Sequence, residues 1–264
     1  MRRKEDHATD GMLLLRGQVV TNRLIASLKA PDLLLLEPNL EPVVLNRGEV
    51  LFEPGDDVVA TYFPGAGTMA SLVLPLADGR SVEAASIGRE GAIGGIVSAG
   101  NKPAFARAVV QMPGTALRIE AARIDEAKDR SKSMRDLFAR YADALLAQVL
   151  QSVACNALHT IEQRYCRWLL MTQDRVGGGE LVLTQEFLSE MLGVQRTTVT
   201  ASARILQDKG IIQYRRGRIT ILDRPRLERA ACECHDLVRR HYERVMPADK
   251  AVAVAEPAHQ DDLG

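Results

Sequence analysis

Between Gln195 and Arg204 the chain sets out Gln195, Arg196, Thr197, Thr198, Thr200, Ala201 and Arg204, with no acidic side chain before Asp208. Arginine, glutamine and threonine donate hydrogen bonds to phosphate oxygens and base edges, and a small alanine fits against a thymine methyl. Further on, Arg215, Arg216 and Arg218 surround Gly217 between two apolar pieces. A basic hairpin of that kind lies against a phosphate backbone and positions a neighbouring element without reading sequence. From 184 to 222 the basic residues Arg196, Arg204, Lys209, Arg215, Arg216 and Arg218 outnumber the acidic Glu186, Glu190 and Asp208, six to three. The chain as a whole balances 34 basic against 34 acidic side chains. Any affinity for nucleic acid therefore has to come from this local surplus.

Three other groups of residues are chemically suggestive. GREGAIGG, residues 88–95, puts four glycines into eight positions, where backbone N–H groups can approach an anion closely. It lacks both the G-x-G-x-x-G spacing and the Lys-Ser/Thr ending of a nucleotide loop, so a barrel turn is the plainer reading. Cys232-Glu233-Cys234-His235 could offer soft ligands to zinc or an iron–sulfur centre, with Cys155 or Cys166 as remote partners. Read as part of one helix from Pro225 to Met246, residues two apart point about 200° away from each other. Ordinary helix cysteines are then the simpler reading, and no metal or other cofactor is expected. His159, His235 and His241 have no Ser or Asp pairing that suggests a triad, and no catalytic constellation is found.

These residues need elements to hold them. Thr184 reads as a helix cap and a further candidate DNA contact, followed by a helix with Phe187, Leu188, Met191 and Leu192 inward and a stop at Gly193. A second helix starts at about Gln195 or Arg196, keeps Val199, Ile205 and Leu206 inward and stops at Gly210. Small Ser189, turn Gly193 and apolar Val199 match three demands of a helix-turn-helix: close approach, a tight turn and a plug between the helices. The basic hairpin beside it is a wing.

Upstream the texture differs. Short apolar runs from about residue 42 to 120 (VVL, VLF, TYF, SLVL, RAVV) alternate with Gly, Pro and Asp turn pairs, which predicts an all-β barrel or jelly roll. Asp78-Gly79 is its clearest hairpin turn. Short helices are expected between Asn22 and Leu36. From Glu120 to about Val153 there is neither Pro nor Gly, which predicts one long helix. Along it Met134, Phe138, Tyr141 and Leu145 follow a 4-3-4 rhythm that drifts to Val149, a candidate seam between two copies of the chain. A helix packed only on its own barrel is the alternative, but a second apolar edge at Leu146 and Leu150 leaves surface to cover. From Thr160 a further helix carries Ile161, Tyr165, Trp168, Leu169 and Leu170 as far as the glycines at 177–179.

A hydrophobic content of 46% suits a protein with a real core. No run approaches the ~18 apolar residues of a membrane span, and no signal peptide is evident. A cytoplasmic protein with free thiols is expected.

A barrel, a long helix and a C-terminal winged helix-turn-helix, in that order, resemble a Crp/Fnr-type bacterial transcription regulator. The resemblance rests on LTQEFLSEMLGVQRTTVTASARILQDKGII with its wing, and on RGEVLFEPGD at 47–56, which is similar to the family's opening barrel strands. It implies an α+β chain: a tail at 1–20, a cyclic-nucleotide-binding-like barrel at 21–120, a dimerisation helix at 121–157, a winged helix-turn-helix with C-terminal helix at 158–246 and a tail at 247–264. It also implies a homodimer, a two-fold symmetric double-stranded DNA operator and RNA polymerase as a further partner. In cyclic-nucleotide-binding members a glutamate follows the Ile-Gly pair and an arginine and a hydroxyl residue follow the short helix. The matching positions here are Gly95, Ala104 and Phe105, so the pocket around Gly94, Gly95 and Arg107 is degenerate and cyclic AMP and cyclic GMP are not expected to bind. In the reading helix Arg196 is retained, while Thr197 and Ala201 replace the family's glutamate and second arginine. The N-terminal cysteines of oxygen-sensing relatives are absent. A non-enzymatic regulator is expected, the alternative being a barrel that senses an anionic small molecule and controls DNA binding.

Overall fold

The computed structural model describes residues 13–15, 18–177 and 180–246. The expected tail at 247–264 and most of that at 1–20 lie outside these residues. Two short strands, β1 (Leu13–Leu15) and β2 (Gln18–Val20), pair antiparallel within the segment read as tail. Two short helices follow, α1 (Arg23–Ala26) and α2 (Ala30–Leu36), then a single 3-10 turn over Glu37–Asn39. Asn22 caps α1 through its side chain and donates from Nδ2 to the carbonyls of Pro64 at 2.9 Å and Gly91 at 2.8 Å. One buried amide thus ties the N-terminal helices to the barrel.

Seven strands build that barrel: β3 (Glu41–Leu45), β4 (Val50–Phe52), β5 (Ala60–Pro64), β6 (Met69–Pro75), β7 (Ser81–Ile87), β8 (Arg107–Met112) and β9 (Gly114–Glu120). They form two antiparallel sheets, ordered β3-β9-β5 and β4-β8-β6-β7. The β6–β7 hairpin turns at Asp78-Gly79, with Gly79 at φ 83°, a left-handed conformation that costs glycine little.

The helix expected from Glu120 is two: α3 (Ala121–Arg130) and α4 (Lys132–Leu158). Ser131 breaks it in an extended conformation, accepting from Met134 N and donating to Asp32 at 2.6 Å. Ser133 donates to the same carboxylate at 2.5 Å. A polar side chain ninety-nine positions away in sequence sets the boundary, and helical periodicity does not register it.

The expected seam is also corrected. Met134, Phe138 and Tyr141 are fully buried inside their own chain, against Leu24, Ile25, Leu36 and Ile124. Leu145 and Val149 are half-buried, Leu145 against the barrel. The N-terminal helices and α3 cover the first half of α4, so that stripe is spent on the internal core. The large apolar side chains of α4 left outside are Leu146, Leu150 and Val153, with Leu158 at its C-terminal end, each more than half exposed.

The C-terminal part comprises α5 (Ile161–Val176), β10 (Glu180–Val182), α6 (Gln185–Leu192), α7 (Arg196–Asp208), β11 (Ile212–Arg215), β12 (Arg218–Ile221), α8 (Arg224–Ala230) and α9 (Cys234–Val245). Thr160 and Gln163 form a reciprocal capping box at the start of α5, and Gly177 closes it in the left-handed region. The helical stretch expected from Pro225 to Met246 breaks between Ala230 and Cys234. One continuous core joins Tyr165, Trp168, Leu188 and Val199 to Met69, Val73 and Met112 of the barrel.

Candidate DNA interface

The two helices of the motif are fixed by their ends. Thr184 Oγ1 accepts from Phe187 N at 3.2 Å at the start of α6, a cap worth ~0.5–2 kcal/mol. Gly193 ends α6 at φ 65°, and its N–H bonds back to the Glu190 carbonyl while Val194 N bonds to the Ser189 carbonyl. Phe187 stacks edge-on against Trp168 at 5.8 Å between ring centroids. Val199 is wholly buried between the helices, as a plug must be. Ser202 and Ala203 join Val199 and Leu206 on the inner face, whereas Ile205 is 41% exposed. Val199, Ser202, Ala203 and Leu206 fall at i, i+3, i+4 and i+7 and so share the buried stripe, whereas Ile205, one position before Leu206, is turned about 100° away from it.

This burial leaves Gln195, Arg196, Thr197, Thr200, Ala201 and Arg204 exposed, with Thr198 half-buried. Thr197, Thr200, Ala201 and Arg204 fall at i, i+3, i+4 and i+7, one stripe of a helix. Gln195 makes no side-chain cap at the start of α7 and no acidic residue lies in the first turn, so the positive end of the helix dipole carries no carboxylate of its own. Thr200 Oγ1 lies 2.8 Å from Gln185 Oε1 and 2.9 Å from the Arg196 carbonyl, tying the face to α6. Arg196 makes no side-chain hydrogen bond or ion pair among the described residues, and Arg204 meets only Asp208 at 3.8 Å, both side chains being exposed. An exposed pair at that distance contributes little and is easily exchanged for a phosphate.

The wing is the β11–β12 hairpin, turned at Arg216 and Gly217 with φ of 49° and 75°. Two consecutive positive φ values are the signature of a tight hairpin turn. β12 also pairs with β10, giving the sheet order β10-β12-β11. Arg215 and Arg216 are exposed and make no side-chain bond among the described residues. Arg218 is held by Glu180 at 2.6 Å. The hairpin thus offers two free guanidinium groups and one engaged one.

The barrel contrasts with this. Gly94 sits at φ 120°, and a Cβ there would lie 2.6 Å from the Ala60 carbonyl. A Cβ on Gly95 would come 2.5 Å from Lys102 Cδ, so the aliphatic stem of a buried lysine fills the place beside that glycine. Lys102 pairs with Asp125 at 2.5 Å, and Lys128 reaches the same carboxylate at 2.9 Å. Lys128 Nζ also donates to the carbonyls of Ile96, Val97 and Ser98. Burial alone would raise the Asp125 carboxyl, but the two lysines outweigh it and hold it below the usual carboxylate range. Arg107 does not meet the glycines: it pairs with Glu53 at 2.8 Å, and that hydrogen bond holds its guanidinium still more firmly charged. Phe105 is 85% exposed. A cleft of about 340 Å³ nearby is bordered by Asp56, Asp57, Tyr62 and Arg118.

GREGAIGG proves to be a packing seam. A Cβ on Gly88 would lie 2.6 Å from Arg175 Cβ, and one on Gly91 would clash with the Tyr141 ring. Helices α5 and α4 thus press directly on this loop. Arg175, which sequence reasoning missed, is buried where α4, α5 and the barrel meet: it donates to Glu90 at 2.8 Å, the Ser86 carbonyl at 3.1 Å and Gln148 Oε1. Cys232 and Cys234 do not share a helix, because one precedes α9 and the other opens it. Their thiols converge with Cys155 and His159, while Cys166 stays apart in the main core.

Residues 163–230 match the family model of the Crp-like helix-turn-helix domain. Among solved structures, FixK2 from Bradyrhizobium japonicum superposes with a TM-score of 0.61 at 18% identity, covering 73% of this chain and 98% of that one. A CRP-family transcriptional regulator from Thermus thermophilus gives 0.60 at 18%, covering 72% and 96%. The c-di-GMP-responsive global regulator CLP from Xanthomonas campestris gives 0.58 at 15%, covering 73% and 99%. At these identities the likeness is one of fold. No curated protein sequence matches the chain.

Proposed function

We propose that this chain, which carries a Crp-like helix-turn-helix domain on the fold of Crp/Fnr-type regulators, is a homodimeric transcription regulator that reads a two-fold symmetric operator through α7. The observation that carries the reading is the outer stripe of α7, where Arg196, Thr197, Thr200, Ala201 and Arg204 stand exposed. Arg196 suits a guanine edge or a phosphate, Thr197 and Thr200 suit either, and Ala201 suits a thymine methyl. Arg215 and Arg216 grip the backbone alongside and set the register. The exposed stripe Leu146, Leu150 and Val153 on α4, at the 4-3 spacing of a coiled-coil edge, supports dimerisation along that helix. Two recognition helices then face half-sites about 34–36 Å apart.

The barrel is a platform in this reading, with no cyclic-nucleotide grip. Gly95 lacks the carboxylate, Lys102 fills the space beside it, and Arg107 is engaged by Glu53. The two aspartates at the nearby cleft disfavour an anionic ligand there. Arg89 lines a separate groove with Arg23, Glu90 and Tyr242, so Arg89 and Arg107 do not make one basic pocket. No helix among the described residues is long and apolar enough to cross a membrane. A DNA-binding role places the chain in the cytoplasm beside RNA polymerase and gives it no catalytic task.

Selection from random-sequence DNA tests the reading, with Arg196→Ala as the comparison. The wild type should enrich a palindromic motif that the variant enriches poorly. Equal enrichment of one motif by both proteins would show that α7 is not the reading helix.

A further inference from the structure

Cys155 and His159 stand one turn apart at the C-terminal end of α4, His159 being its capping residue. Cys232 and Cys234 come to them from the break between α8 and α9. Cys155 Sγ and Cys232 Sγ are 3.5 Å apart, Cys234 Sγ is 3.4 Å from His159 Nδ1, and all four donor atoms lie within 4.8 Å of one another. Tetrahedral zinc, with bonds of ~2.3 Å to sulfur and ~2.0–2.1 Å to nitrogen, sets S···S edges at about 3.8 Å and S···N edges at about 3.5 Å. We propose that Cys155, His159, Cys232 and Cys234 form a Cys3His site for a thiophilic divalent cation of the zinc type, which pins α9 to the junction between α4 and the DNA-binding domain.

The surroundings fit the same ligand. His159 Nε2 faces Glu233 Oε2 at 3.4 Å, which holds the ring's proton on that side and leaves Nδ1 for the thiol side. A metal-binding histidine is commonly oriented by such a carboxylate. Gln151 Nε2 donates to Cys234 Sγ at 3.0 Å. Three thiolates and one imidazole around a divalent cation carry a net charge of −1, and Arg164 and Arg167 lie near enough to act electrostatically on the cysteines. The Nε of each of these arginines is buried with no hydrogen-bond partner among the described residues. An anionic centre gives that charge a counterpart.

Two plainer readings explain less. Ordinary core cysteines would pack among aliphatic side chains, as Cys166 does, whereas these three thiols are buried against one another. A Cys155–Cys232 disulfide would have to close the 3.5 Å gap to ~2.05 Å, and it leaves Cys234, His159 and Glu233 without a task. Metal binding displaces the thiol protons to solvent, so uptake should release protons and tighten as pH rises. The site stands on its four side chains and does not depend on the DNA-binding reading.

Because His159 and Thr160 join α4 to α5, occupancy would fix the angle at which the long helix meets the winged domain. The test uses the full chain, reduced, stripped with a chelator and titrated with Co2+. One equivalent should bind, with the intense visible bands of tetrahedral cobalt and thiolate-to-cobalt charge transfer, and Zn2+ should displace it. Cys234→Ser, which removes one of the three thiolates, should weaken binding and lower the charge-transfer intensity. His159→Gln, which leaves every thiol in place, should weaken binding and shift the visible bands, and Glu233→Gln should weaken binding about tenfold. Cys166→Ser should bind like the wild type. At one fixed Zn2+ concentration the Tm of the wild type should rise by more than that of His159→Gln. The proposal is overturned if the folded, reduced wild type takes up no Co2+ at micromolar concentration, or if Cys166→Ser loses as much as Cys234→Ser. Recovery of a Cys155–Cys232 disulfide, with no metal uptake after reduction, would overturn it in favour of a redox pair.

Discussion

The outer face of α7 and the barrel loop from Gly94 to Arg107 both carry the residue types that bind anions, yet they differ in what those residues already hold. On α7 and the wing, Arg196, Arg215 and Arg216 make no side-chain bond among the described residues. In the barrel, Lys102 and Lys128 share Asp125, and Arg107 is taken by Glu53. A basic side chain with an internal partner must break that pairing before it can hold a ligand. The winged domain has charge to offer, whereas the barrel has used its charge to hold itself together.

The largest effect should come from separating two copies of α7. Leu146→Glu combined with Leu150→Glu puts like charges on the exposed stripe of α4 and should yield a monomer in sedimentation. Operator affinity should then fall by roughly 10²–10⁴, the gain that linking two reading heads provides. A variant that stays dimeric would move the interface elsewhere.

Asp125→Asn tests the claim that the barrel's charges are structural. Leaving two buried lysines without their carboxylate should cost about 3 kcal/mol of unfolding free energy in denaturant, with little change in operator affinity at temperatures where the variant is folded. The pH dependence has a definite sign. The folded-state pKa of Asp125 is depressed, so its contribution is fully present above the unfolded value of ~3.9 and is lost as pH falls through the lower folded value. The stability gap between wild type and variant should therefore narrow below about pH 4.

Arg196→Ala should invert that pattern. Operator binding should weaken roughly 10–100-fold with relaxed preference at one base pair per half-site, while Tm stays unchanged. A loss of stability would mean that Arg196 holds the fold and does not face DNA.

The smallest effects should distinguish the wing's arginines. Arg215→Ala and Arg216→Ala should each weaken binding evenly across sequences and lower the salt-dependence slope by about one per contact. Arg218→Ala should change the slope less, because Glu180 already holds Arg218. Equal slopes for all three would show that the Glu180 pair opens on DNA.

What the sequence revealed follows how local each cause is. Ser189, Gly193 and Val199 define the helix-turn-helix within eleven residues, and Thr184, Gly177 and Gly79 mark ends that need only neighbouring backbone. Features set from afar were missed. Ser131 breaks a long helix because Asp32 arrives from the N-terminal end of the chain. The stripe from Met134 to Tyr141 has the rhythm of a dimer seam, but α1 and α2 fold over it and leave Leu146, Leu150 and Val153 outside. Periodicity gave the spacing but could not say which side another element would cover. Cys155 meets Cys232 across seventy-seven positions because the chain breaks between α8 and α9, where a single helix would have pointed Cys232 and Cys234 apart.

Hydroxyl-radical footprinting on a selected operator tests the central claim most directly. Two protected patches, related by two-fold symmetry, should appear about 34–36 Å apart along the duplex, and Arg196→Ala should weaken both together. A single patch, or protection that ignores sequence, would contradict a symmetric pair of α7 helices reading DNA.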